Sequence, residues 1–73
     1  MLPRNYIHVI WDDYQNGWRC WVFHDGQVAQ RLHRTDIASV VALAQELHLP
    51  VDMGDGQGRL RTALRVAGVR LVP

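Results

Sequence analysis

Seventy-three residues carrying eight basic and seven acidic side chains, for a formal net charge of +1, make one small domain and exclude two. So even a balance excludes a polycationic tail or a basic membrane-surface helix, and no run approaches the ~20 apolar residues that cross a bilayer. The single cysteine, Cys20, excludes an internal disulfide.

The first strand is expected over about 5–13, the second over 18–24 and the third over 27–33, joined by Asn16-Gly17 and Asp25-Gly26. Both dipeptides favour the positive φ of a tight type I′ hairpin, and both are flanked by β-branched or aromatic residues. With two-residue loops, counting outward sets Asp12 opposite Trp21, Ile10 opposite Phe23, and Val28 opposite Phe23 from the other side. One face then carries Tyr6, His8, Ile10, Asp12, Arg19, Trp21, Phe23, Val28, Gln30 and Leu32. The other carries Ile7, Val9, Trp11, Trp18, Cys20, Val22, Ala29 and Arg31. Both faces are substantially apolar, so each needs cover.

Thr35 offers a hydroxyl N-cap and Asp36 a carboxylate for the positive end of a helix over about 36–48. Ile37, Val40, Val41, Ala44 and Leu47 form its apolar stripe, and Pro50 stops it. Val51-Asp52-Met53 forms a short strand. After the glycines of GDGQG, Leu60, Ala63, Leu64 and Ala67 make a second stripe, flanked by Arg61 and Arg65. Gly68 suits the position just past a helix end, and 69–72 reads as a last strand. The order β-β-β-α-β-α-β gives an α/β (α+β) domain over 1–73. Its mixed sheet combines an antiparallel three-stranded meander with two helix-strand crossovers, ordered 3-2-1-4-5, with the helices placed to cover the two faces.

This order resembles the ribonuclease-H-like fold, with echoes of Holliday-junction resolvases and insertion-sequence transposases. The resemblance rests on VIWDD in the first strand, VDMGD in the fourth, and the glycine, helix and strand of GRLRTALRVAGVRLVP. It implies metal-binding acids at Asp12 or Asp13 and at Asp52 or Asp55, holding Mg2+ for phosphodiester cleavage. HicB-type antitoxins are similar to a reduced, non-catalytic version of the fold. The resolvases' Asp-Pro-Gly after strand one is replaced here by Asp12-Asp13-Tyr14, and strand four carries Asp where Glu is usual.

The glycine loop itself is not a P-loop, since Gly58 is followed by Arg59-Leu60 and not by Lys-Ser/Thr. Its spacing also fails the dinucleotide fingerprint. His8, His24, His33 and His48 lack the spacing of a zinc site, so no metal or cofactor is expected outside the nuclease alternative. Trp11, Trp18 and Trp21 with Arg19 and Arg31 are the candidate partner-binding residues. Arg34, Arg59, Arg61 and Arg65 are candidates for an anion or nucleic acid. Two apolar sheet faces are more than so short a chain buries comfortably. The expected function is therefore a cytoplasmic, non-enzymatic interaction module that self-associates as a dimer and binds protein in preference to nucleic acid.

Overall fold

The computed structural model describes residues 2–54 and 58–73. Its elements run β1 (Tyr6–Asp12), β2 (Gly17–His24), β3 (Gln27–Arg34), α1 (Ile37–Leu47), β4 (Val51–Met53) and α2 (Gly58–Val66). The four strands form one mixed sheet ordered β3-β2-β1-β4, with β1 antiparallel to β2, β2 antiparallel to β3, and β4 parallel to β1. The meander and the α+β class are as the sequence implies. The expected fifth strand does not form. Residues 70–72 meet β4 through one parallel bridge, Val51 to Leu71, with Val51 N–H donating to the Arg70 carbonyl and Val72 N–H to that of Val51. Alternate residues of a strand turn their polar backbone groups to opposite sides. A three-residue β4 thus has little to offer outward, and the ladder stays one bridge long.

The second hairpin closes as expected: Asp25 (φ 53°) and Gly26 (φ 78°) form a two-residue turn, and His24 pairs with Gln27. The first does not. Its loop is four residues long, 13–16, and Gly17 is already the first residue of β2, opposite Asp12. Asp12 drives this choice, since its Oδ1 accepts from the backbone N–H groups of Tyr14 (3.0 Å) and Gln15 (3.3 Å). Asn16 supplies the left-handed residue at φ 53°. Trp11 therefore pairs with Trp18, His8 with Trp21 and Tyr6 with Phe23, in place of Asp12 with Trp21 and Ile10 with Phe23. The slip is four residues, an even number, so every side chain of β1 and β2 keeps its expected face.

In β3 the faces do change. A bulge between Val22 and Phe23 leaves Ala29 unpaired, and beyond it Trp21 faces Arg31 while Cys20 faces Leu32. An extra residue reverses the alternation. Leu32 accordingly packs against the core, and Arg31 and Trp21 share the opposite face.

Both helices lie on the same side of the sheet. Ile7, Val9, Cys20, Val22 and Val51 form one core with Val40, Leu43 and Ala44 of α1 and Leu60 and Leu64 of α2. The expectation of cover on both faces fails for a topological reason. Successive crossovers of the same hand, running in one direction across a sheet, put their helices on one face. Each fully buried leucine or isoleucine here contributes ~1.5–3 kcal/mol.

Asp36, not Thr35, caps α1, its Oδ1 accepting from Ser39 N–H at 2.7 Å. That backbone hydrogen bond holds the Asp36 carboxyl below its ordinary range. His48 ends α1 in the left-handed region at φ 55°. Gly68 (φ 79°) ends α2 in a Schellman motif, with Gly68 N–H donating to Arg65 and Val69 N–H to Leu64.

Candidate functional site: the uncovered sheet face

The pairing registers align four side chains in one row across the uncovered face: Arg31 on β3, Trp21 on β2, His8 on β1 and Asp52 on β4. The row spans three strand spacings, ~14 Å. At one end, His8 Nδ1 lies 2.9 Å from Asp52 Oδ2, both side chains partly exposed. At the other, the guanidinium carbons of Arg19 and Arg31 each lie 5.3 Å from the centroid of the Trp21 ring. Arg19 reaches the ring from two residues along its own strand, and Arg31 reaches it across the strand pair. Such contacts are worth ~0.5–1 kcal/mol at partly exposed sites.

The row has neighbours on either side. Tyr6 and Phe23 stack with centroids 4.6 Å apart and planes 3° from parallel. Tyr6, stacked on Phe23 in this cross-strand pair, is buried at 7% exposure. On the other side, the His33 ring lies over Gly17. A Cβ there would meet the ring at 2.6 Å and the Arg34 carbonyl oxygen at 2.7 Å. His33 Nε2 is buried and has no hydrogen-bond partner among the described residues.

Among the described residues, no arginine lies in an ion pair, the two pairs present being His8–Asp52 and His24–Asp25. The acids are engaged locally instead. Asp12 holds the first loop, Asp13 accepts from the Trp11 indole N–H, and Asp36 caps α1. Arg19 and Arg31 thus present ordered, uncompensated guanidinium groups, and Arg34 Nη1 donates to the carbonyl of His33.

The expected partner-binding residues separate into two groups. Arg19, Trp21 and Arg31 come together on the uncovered face. Trp11 and Trp18 sit on the helix side, edge to face at 4.7 Å, with Trp18 packed against the core. The anion candidates are also divided. Arg34 ends β3, whereas Arg59, Arg61 and Arg65 ride on α2, on the far side of the sheet, with Arg59 and Arg65 exposed.

The acids of the nuclease alternative are not gathered. Asp52 is in register with His8, and Asp12 lies four residues further along β1, ~13 Å away. No group of three or more metal-ligating side chains occurs among the described residues. Asp55 and most of the GDGQG loop lie outside the described residues.

Cys20 is buried on the helix side, and burial pushes its thiol up to about 11. A nucleophilic role needs the opposite shift. The surface hollows include one of about 480 Å3 between the C-terminal ends of the two helices and one of about 80 Å3 between His8, Ile10, Arg19 and Trp21. The larger one has only His48 and Arg70 as ionisable lining. The smaller one is below the ~300 Å3 of a ligand pocket, as suits a contact surface.

The His8–Asp52 pair and the Tyr6–Phe23 stack escape a sequence reading because each depends on inter-strand register. The available signal was Asp12 five residues before Gly17, which favours an Asx-type loop over a two-residue turn. Comparison with known protein families, with characterised proteins and with solved structures finds no match.

Proposed function

We propose that the protein is a non-catalytic interaction module whose uncovered sheet face docks a protein partner, foremost a second copy of itself. The observation that carries this reading is the Arg19–Trp21–Arg31 cluster, on the β2–β3 half of a face that neither helix covers, with no carboxylate among the described residues paired to it. Tryptophan and arginine are the residues in which binding energy concentrates, because a ring and a planar cation bury much area at little entropic cost. Stacking on Trp21 holds both guanidinium groups before a partner arrives, which lowers the cost of ordering them.

A nucleic-acid partner fits this face less well. Asp52 and Asp12 stand on the same face as the arginines, and a phosphate chain crossing the row would meet a carboxylate at its far end. Metal-dependent cleavage in the manner of ribonuclease-H-like enzymes finds little support in an Asp52 engaged with His8.

A photo-crosslinking amino acid placed at Val28, beside Phe23 on the uncovered face, tests the reading in the native cell. The same probe at Val66, exposed on α2, is the control. Discrete protein adducts, identified by mass spectrometry, are expected from position 28 and not from 66. Equal labelling at both positions, or adducts to nucleic acid alone, would refute it.

A further inference from the structure

The row Arg31–Trp21–His8–Asp52 has an electrical direction, cationic at the β3 edge and anionic at β4. Consider what can lie flat on such a row. An acidic peptide or a phosphate chain satisfies the arginine end and is repelled at Asp52. A basic partner has the reverse difficulty. A second copy of the same face satisfies both ends at once, provided it is turned the right way.

Two orientations place one sheet face on its own copy by a two-fold axis lying in the interface. If the axis runs across the strands, each strand faces itself, Arg31 meets Arg31 of the partner, and like charges oppose. If it runs along the strands, between β1 and β2, the order β3-β2-β1-β4 meets β4-β1-β2-β3. Arg31 then faces the partner's Asp52, and Trp21 faces the partner's His8. We infer that the chain forms a face-to-face dimer of this second kind, its two sheets stacked at the ~10 Å spacing of a β-sandwich and its four helices outermost.

This rests on the reading of the uncovered face as a docking surface. Two observations, together with the symmetry rule that an isologous contact obeys, support the occupant. The charges on the row are self-complementary in one orientation only. An isologous interface requires that each patch meet its own copy, which this row allows. The molecule measures 28 × 27 × 22 Å, so one whole face is on the order of the ~800 Å2 that a partner contributes to a standard interface. In the dimer the Trp21 ring is removed from water, and the contacts of both guanidinium groups strengthen as the surroundings dry.

Sedimentation equilibrium of the full chain, from low to high micromolar concentration, reads the association. Wild type should reach twice its 8.4 kDa chain mass. Arg31→Glu and Asp52→Arg, each checked for a native circular-dichroism spectrum, should each weaken self-association at least about tenfold. An equimolar mixture of the two should recover a heterodimer, because Glu then faces the partner's Arg at one end of the row and the original pair survives at the other. A wild type that stays monomeric overturns the inference, as does a dimer that both charge reversals leave untouched. Adducts to a different protein from position 28 in a monomeric wild type would remove the second copy as occupant and leave the docking reading standing. Absence of both removes both.

Discussion

The two faces of this sheet are made from alternate residues of the same strands, yet they solve the problem of cover differently. On the helix side, Ile7, Val9, Cys20 and Val51 are aliphatic or thiol groups at 0–1% exposure, filled in by Leu60 and Leu64 of α2. On the other side, Tyr6 lies against Phe23 and Trp21 against two arginines, so that side chains shelter one another and leave polar tips in water. Where helices supply the cover, small branched groups pack to near-crystalline density. Where none does, large rings and long charged stems are the only side chains that can screen a neighbour without burying a charge. Stability should therefore reside mainly on the first face and recognition on the second.

The most direct way to break that division is to truncate one residue on each side. Leu64→Ala, at 0% exposure, should cost ~2–5 kcal/mol by chemical denaturation, a large part of what a small domain possesses. Trp21→Ala should cost less than half as much while weakening association most. Equal losses of stability would show that the open face is a structural core after all. Gly17→Ala probes the alignment of the open face and should cost ~1–3 kcal/mol, because its Cβ meets both the His33 ring and a backbone oxygen. Gly58→Ala, where a Cβ has open space, is the control and should be neutral or better.

The smallest effect sharpens the contrast by reporting how dry the helix side is. The Cys20 thiol is raised from an ordinary value of 9.0 to about 11 by burial, with Arg34 pulling weakly the other way. The folded state favours the neutral thiol, so its contribution is fully present below pH 9 and is lost as pH rises from 9 towards 11. Wild type should lose stability over that window relative to Cys20→Ala, and native Cys20 should resist alkylation at pH 8. Rapid alkylation of the folded protein would mean that the helix side is open to water.

Much of the architecture is legible along the chain, and each miss has a physical cause. The three-stranded meander, both helices, the type I′ turn at Asp25-Gly26 and the end of α2 at Gly68 follow from turn chemistry and apolar periodicity. The face assignment of β1 and β2 follows even from the wrong register, since the error of four residues preserves parity. A single unpaired residue, Ala29, then reverses the rest of β3 and brings Arg31 to Trp21. Nothing local announces that bulge. The candidate site was half legible: Arg19, Trp21 and Arg31 meet, whereas Trp11 and Trp18 belong to the other side of the sheet.

What the chain determined by itself is the meander, the two helices and the short β4, though not the fifth strand expected over 69–72, because propensities, caps and tight turns act over a few residues. The tertiary structure alone decided which face the helices leave bare, the His8–Asp52 pair and the charged row that runs across four strands. Those depend on pairing between residues as far apart as 8 and 52. Such pairing is chosen by the packing of the whole core and by no local preference of either segment.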